Sequence, residues 1–421
     1  MRYKAPRGTR DILPEDSWKW QKLERAFEET AERFGYKEIR LPVFEQTELF
    51  ARGIGDATDI VRKEMYTFED RKGRSLTLRP EGTAGVVRSY IEHNMGEGGA
   101  RVTKLRYFCP MFRYERPQAG RYRQFWQWGL EAIGSESPGV DAEIIHFCMS
   151  LFEQLGIRGS VARVSSAGCK ECTPAYNEAL RTRLGPSLGR FCGDCHVRYE
   201  KNPRRMFDCK NEDCQSLLKD APSILDSLCA GCREHFDGVV RHLERMSVSF
   251  EVDATLARGL DYYTRTVFEV HYQGLGAQSA LCGGGRYDDL IEELGGSPTP
   301  ACGVSAGVER LIHAYDNESG GAEEEPGPDV YLVALGDEAA LTAAAMAARL
   351  RNRYSVEVDH KRRSMKAQMR EAGKLRARLV AIVGEDELAR GVAALKDMET
   401  GEQTETAIDG VSEAVGRLLK R

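Results

Sequence analysis

The sequence predicts an α+β protein: a large domain built on an antiparallel sheet, then a small α/β domain. Three observations lead there. Strand-like and helical runs occur in separate groups over most of the chain, which favours an antiparallel sheet over a repeated βαβ unit. A Gly-, Pro- and Glu-rich stretch without periodicity, "DNESGGAEEEPGP" (316–328), reads as a linker. Beyond it strands and helices alternate, the rhythm of a small sheet covered by helices. At 421 residues the chain is too long for one ordinary core, so residues 1–325 and 329–421 are expected to be separate domains.

The elements follow in order. "SWKWQKLERAFEETAERFG" (17–35) has apolar residues at helical spacing and stops at Gly35. "RSLTLRPEGTAGVVRSYIEH" reads as a strand, then Pro80, then a helix beginning near Thr83. "RYFCPMFRYERP" and "RQFWQWGLEAIG" read as two strands of a hairpin joined by "RPQAGRYR". "TVFEVHY" (266–272) is a further strand, and "GVSAGVERLIHAY" turns from a glycine-rich strand end into a helix. In the last domain "DVYLVAL", "SVEVD" and "RLVAIVG" are strands, with helices at 337–351, near 363–373 and at 385–390.

Composition narrows the classes. With 41% hydrophobic and 30% charged residues and no apolar run near the ~18 residues of a membrane span, the chain is expected to be globular and not embedded in a membrane. The basic start "MRYKAPRGTRDILP" leads into no apolar stretch, so no secretory signal is expected and the cytoplasm is the default location. A net charge of −5 argues against indiscriminate nucleic-acid binding by the whole surface, but a local patch stays open: residues 349–378 hold eleven Lys or Arg and three acids.

Eight of the twelve cysteines fall between 169 and 232, in four close pairs: Cys169 and Cys172, Cys192 and Cys195, Cys209 and Cys214, Cys229 and Cys232. Each pair offers two thiolates from one turn, and two pairs make a tetrahedral site of four thiolates, so structural Zn2+ in an insertion at about 165–245 is weighed against buried reduced thiols. Which pairs combine is open from spacing; first with fourth and second with third would close the insertion at its neck and its tip.

Three stretches carry chemistry. "FRYERPQAGRYRQF" (112–125) sets Arg113, Arg116, Arg121 and Arg123 around a turn tipped by Gly120. Guanidinium forks suit phosphate oxygens, Glu115 can accept from an exocyclic amine and Phe125 can stack on a purine, so a triphosphate is the natural guest. "GVSAGVERL" (303–311) alternates small residues, which lets a ligand lie against a strand. "ARGLDYYTRT" (257–266) reads either as an edge strand with a surface arginine or as a binding floor of one cation and two phenols.

Together these segments resemble a known family. "FRYE" with its arginine loop resembles motif 2 of the class II aminoacyl-tRNA synthetases and "GVSAGVER" resembles motif 3. "YKEIRLPVFEQTELFARGIG" (36–55) resembles the dimer-forming motif 1. "ARGLDYYTRT" and "CGGGRYDDL" (282–290) resemble the two signatures peculiar to histidyl-tRNA synthetases, and the resemblance runs from "PRGTRDILP" into the last domain. It implies a class II catalytic domain followed by an anticodon-binding domain, acting as a homodimer. The implied reaction is ATP-dependent ligation of L-histidine to tRNA(His) through a histidyl-adenylate, with Mg2+ on the pyrophosphate side. The resemblance places Arg113 and Arg258 on opposite sides of the α-phosphate. It places Glu81, Gly82, Thr83, Gln127, Glu131, Arg258, Tyr262, Tyr263 and Tyr287 around histidine, and Arg113, Glu115, Arg121, Phe125 and Arg310 around ATP. Arg116 and Gln118 are implied for the tRNA acceptor end, and Lys361, Arg362, Arg363, Lys366 and Arg370 for the anticodon side. One residue departs from the family pattern: Trp126 stands where its "QFHQ" run has histidine.

Two other readings compete. A non-catalytic paralogue that regulates the first enzyme of histidine biosynthesis shares this fold, but commonly lacks the last domain and parts of the histidine signatures. A zinc-dependent nucleic-acid-binding protein would leave Glu81, Gln127 and Glu131 unexplained.

Overall fold

The structure, a computed structural model, describes residues 3–55, 58–98, 101–115, 122–209, 211–256, 258–276, 279–321 and 325–420. The chain forms two compact units, Met1–Glu323 and Glu324–Arg421.

In the first unit α1 (Pro14–Arg33) opens with proline and two acids in its first turn, which suit the positive end of the helix. It buries Trp20, Leu23, Phe27 and Ala31 along one face. There follow β1 (Lys37–Glu38), β2 (Phe44–Gln46), α2 (Thr47–Ile54), β3 (Tyr66–Glu69), β4 (Ser75–Leu78) and α3 (Thr83–Glu92). The hairpin strands are β5 (Thr103–Phe112) and β6 (Gln124–Ile133), followed by α4 (Pro138–Gln154) and β7 (Ser160–Gly168). The insertion carries α5 (Cys172–Leu184), α6 (Gly193–Lys201), α7 (Glu212–Leu218) and α8 (Ala230–Arg245). The unit closes with β8 (Phe250–Val252), β9 (Thr264–Tyr272), β10 (Ala280–Arg286), α9 (Leu290–Glu293), β11 (Ala301–Gly307) and α10 (Val308–Ser319).

Eight strands form one sheet in the order β1-β5-β6-β11-β10-β9-β7-β8. Its six inner strands pair antiparallel, and only the outer pairs β1·β5 and β7·β8 run parallel. The period of two divides the faces. On β6, Trp128, Leu130 and Ala132 enter the main core with Phe27 of α1, Phe147 of α4, Val239 of α8 and Leu311 of α10. Gln127, Gly129 and Glu131 therefore point to the opposite face, where the register sets them against Gly307, Ser305 and Gly303 of β11. That glycine- and serine-lined floor is the site.

Two open readings are decided and one boundary is corrected. Residues 258–263 form no edge strand; they are a loop leading into β9, which lies inside the sheet between β10 and β7. The first four residues of the expected linker belong to α10, where Asp316 pairs with Lys19 at 2.6 Å, and the helix stops at Gly320 in the left-handed region (φ 61°). Trp126 packs on the core side of β6, with ring centroids 6.0 Å from Trp20 and 5.6 Å from Phe108.

The second unit contains β12 (Val330–Ala334), α11 (Asp337–Leu350), β13 (Val356–Val358), α12 (Met365–Lys374), β14 (Leu379–Val383), α13 (Glu385–Arg390), β15 (Val392–Asp397), β16 (Gln403–Ala407) and α14 (Val411–Leu418). The sheet order is β13-β12-β14-β15-β16, parallel across the first three strands and antiparallel across the last two. Separate apolar clusters fill its two faces, one including Met346 of α11 and Val415 of α14, the other Ala372 of α12.

Candidate active site and cysteine clusters

The floor opens into a cleft of about 440 Å3 lined by Glu81, Arg113, Glu115, Phe125, Gln127, Arg258, Tyr262, Glu269, Gly283 and Arg310, among others. Arg113 and Arg258, from segments far apart in sequence, share it. The Nε of Arg113 donates to the carbonyl of Pro80 at 2.8 Å, and its guanidinium lies 5.3 Å from the centroid of Phe125. This leaves an apolar ring beside a cation, a pairing suited to a purine nucleotide. Arg258 is ion-paired to Glu269 of β9, and Glu269 also meets His271 Nε2 at 3.0 Å. Burial opposes ionisation of Glu269, yet His271 and Arg258 hold its carboxyl below the ordinary value.

Gly283 makes room for Arg258: a Cβ there would stand 2.5 Å from its Cζ. At the next small position, a Cβ on Gly303 would collide with the Glu131 carboxylate. Glycine is thus required where guanidinium and carboxylate cross the strands.

The remaining expected histidine contacts divide into two layers. Glu81, Gln127 and Tyr262 line the cleft. Glu81 accepts the N–H groups of Thr83 (2.6 Å) and Ala84 (2.9 Å) at the start of α3; burial nevertheless raises its pKa. The Oε1 of Gln127 is buried and has no protein partner, a costly state that a ligand donor would relieve. Thr83, Glu131, Tyr263 and Tyr287 form a second layer. Thr83 Oγ1 donates to Glu131 at 2.7 Å, the Tyr287 hydroxyl donates to the other Glu131 oxygen, and the Tyr262 ring lies between those of Tyr263 (centroids 4.8 Å, tilted) and Tyr287 (5.7 Å, edge-on). Gly82 faces the ring of Tyr107, whose Cε2 a Cβ would approach to 2.6 Å. Arg116, Gln118 and Arg121 lie outside the described residues.

Burial pushes the Glu131 carboxyl up to about 8, although the bonds from Tyr287 and Thr83 pull the other way. It is therefore protonated in the folded protein near neutrality. Its contribution to stability is complete below the ordinary carboxyl value of 4.5 and is lost as pH rises through about 8. Glu131→Gln keeps one acceptor oxygen, puts an amide donor in place of the other and removes the charge, so the melting temperature of the variant relative to the parent should rise steadily from about pH 6 to about pH 8. Parallel curves for the two proteins across that range would contradict this protonation state.

The sequence profile described as "Histidyl-tRNA synthetase" matches residues 8–311, and that described as "Anticodon binding domain" matches residues 329–418. The chain belongs to the histidyl-tRNA synthetase family. A "Histidine--tRNA ligase" of Caldanaerobacter subterraneus subsp. tengcongensis is 48% identical over 416 residues, covering 99% of this chain and 100% of the relative. One of Bacillus subtilis is 47% identical over 412 residues, 97% of each chain. Among solved structures, apo histidyl-tRNA synthetase of S. aureus superposes with a TM-score of 0.82 at 38% identity, over 98% of this chain and 99% of that one. A Bacillus halodurans structure described as "ATP phosphoribosyltransferase regulatory subunit/histidyl-tRNA synthetase" has a TM-score of 0.67 at 20% identity, covering 91% of this chain and 99% of that one; this likeness concerns the fold alone.

Within this synthetase-family unit the cysteines form two clusters: Cys169, Cys172, Cys229 and Cys232 at the neck of the insertion, and Cys192, Cys195, Cys209 and Cys214 at its tip. In each, four sulfurs lie within 4.8 Å of one another. The separations of 3.6 and 3.8 Å in the neck and 3.7 Å in the tip far exceed a disulfide bond. They match the ~3.8 Å edges of a tetrahedron with metal–sulfur arms of ~2.3 Å. Backbone N–H groups of Cys229 and Cys192 donate to Cys172 (3.1 Å) and Cys214 (3.3 Å), which favours thiolate. The donor sets fit Zn2+.

In the anticodon-binding unit, Lys361, Lys366 and Arg370 are exposed. Arg362 pairs with Asp337 at 2.8 Å. Arg363 pairs with Asp359 (2.7 Å) and Glu371 (3.3 Å) within the unit.

Proposed function

We propose that this protein ligates L-histidine to tRNA(His) by way of histidyl-adenylate. A histidine carboxylate oxygen attacks the α-phosphorus of ATP; the new P–O bond forms as the Pα–O–Pβ bridge breaks and pyrophosphate leaves. The terminal ribose hydroxyl of the tRNA then attacks the acyl carbon and AMP departs. No protein atom becomes covalently attached, so the contribution of the chain is positioning and charge stabilisation. Arg113 approaches the phosphate from the hairpin side and Arg258 from the loop before β9, where it also meets the amino-acid carboxylate. Phe125 stacks on adenine, Glu115 accepts from its amine, and Arg310 holds the triphosphate with Arg121. Glu81, Gln127 and Tyr262 contact histidine, and Glu131, Thr83, Tyr263 and Tyr287 back them. When bound, Mg2+ neutralises the pyrophosphate side.

The observation that carries this reading is the single cleft shared by Arg113 and Arg258, floored by small residues and containing the unpartnered Gln127 oxygen. The regulatory-subunit reading is not favoured: it explains neither that arrangement nor the curated ligases matched over their full length. The deciding experiment is ATP–pyrophosphate exchange with each of the twenty amino acids. Exchange with histidine alone supports the ligase; exchange with none would restore the regulatory reading.

Partners follow from the same assignment. Arg116 and Gln118 are assigned to the acceptor end, and Lys361, Lys366 and Arg370 to phosphates of the anticodon arm, with Arg362 joining if its exposed pair with Asp337 opens. Motif 1 supports a homodimer and translation a cytoplasmic location; among the described residues no helix is long and apolar enough to cross a membrane.

Two structural Zn2+ ions, one per cluster, complete the assignment. The apolar core of the insertion is small, centred on residues such as Tyr176, Leu180, Leu184, Phe191 and Met206, and cores of that size commonly need a metal or disulfide staple. Protein purified without chelator should carry about two zinc ions per chain. Fewer than about 0.2 would end the zinc assignment.

A further inference from the structure

The tip of the insertion reaches back to the active-site loop. Between Cys195 and Cys209 the chain makes a short helical turn, Pro203–Asp208, bracketed by tip-cluster cysteines. Two arginines leave this turn. Arg204 is half-buried and donates to the carbonyl of Ala167 at 2.8 Å, seating the turn on the end of β7. Arg205 reaches the loop between Arg258 and Tyr263: Nη2 and Nε donate to Asp261 Oδ1 at 2.8 and 3.2 Å, and Nη1 donates to the carbonyl of Gly259 at 3.1 Å. From the other side the end of α2 meets the same residue. The Asp261 N–H approaches the Ile54 carbonyl at 3.4 Å, and Gly55 (φ 99°) leaves no room for a Cβ beside its carboxylate.

We propose that Arg205 is a positioning residue, the contact through which the cysteine-rich insertion holds the loop carrying Arg258 and Tyr262 in its activating shape. A fork that binds a carboxylate and a backbone carbonyl of one loop fixes both its position and its orientation, which a lone ion pair does not. The loop meets the histidine side of the cleft, whereas Phe125 and Glu115 meet adenine from the hairpin. Loosening the loop therefore weakens the use of histidine and, through Arg258, slows the exchange step, while ATP, gripped at its adenine and from the hairpin, keeps most of its affinity. The inference rests on the ligase reading above.

The test is steady-state ATP–pyrophosphate exchange by the full-length protein with histidine and ATP varied separately, alongside thermal unfolding. Arg205→Ala should raise the KM for histidine about tenfold, the scale of a lost charge-assisted hydrogen bond, with the KM for ATP within about twofold and the unfolding midpoint nearly unchanged. Arg205→Lys, which keeps the charge but not the fork, should recover part of the loss. In an Asp261→Asn background, Arg205→Ala should cost less than in the parent. A histidine KM unchanged by Arg205→Ala, or losses falling equally on ATP, histidine and stability, would overturn the inference. Absence of exchange in the parent would instead overturn the ligase reading.

Discussion

Replacing Arg258 by alanine is expected to lower histidine-dependent ATP–pyrophosphate exchange by roughly 100–1,000-fold while the fold survives, because a preorganised donor to a developing charge typically contributes ~3–4 kcal/mol. Both halves follow from the surroundings of Arg258. Its guanidinium is held by Glu269 and lies 5.8 Å from the Tyr263 ring centroid, so its direction is set before substrate arrives. On removal, Glu269 keeps His271 as a partner and faces an open cleft that water can enter. The sheet loses no core side chain. Exchange rates and a circular-dichroism melt on the same preparation check both halves, and near-normal exchange would remove Arg258 from the mechanism.

Gly283→Ala is the second large effect. The added methyl enters the space of the Arg258 guanidinium, the far end of a long side chain that can swing away. The backbone at 283 is ordinary strand, paired with Glu269 on one side and Ser305 on the other. Folding should therefore persist while the cation is displaced, and exchange should fall about 10–100-fold, most of the cost of deleting the charge. Combined with Arg258→Ala, Gly283→Ala should add little, since the group it displaces is already gone. Multiplicative losses in the double variant would show that Gly283 acts on something other than Arg258.

Periodic segments were legible in the sequence. The helix α1, the β5–β6 hairpin and β11 entering α10 all announce themselves by apolar spacing or by glycine at strand positions. The hairpin β15–β16 did not, because Gln403–Ala407 is an exposed edge strand of polar residues with no alternation to detect. Within the site, the residue types of the cleft could be read, but not the division into a lining layer and a supporting layer. That division depends on Glu131 meeting Thr83 and Tyr287 across 48 and 156 residues. The same limit applies to Arg205 and Asp261, 56 residues apart, and to Cys169 and Cys229, 60 apart. Glu269 left a fainter mark: with His271 it alternates against the buried Phe268 and Val270, placing two polar groups on the cleft side of an interior strand.

The most direct test of the central claim is a crystal structure of the protein bound to a non-hydrolysable histidyl-adenylate analogue. The account predicts side-chain nitrogens of both Arg113 and Arg258 within hydrogen-bond distance of the one phosphate or its isostere, and the imidazole beside Glu81, Gln127 and Tyr262. A complex in which Arg258 stays on Glu269 and contacts neither the phosphate nor the histidine moiety would contradict it.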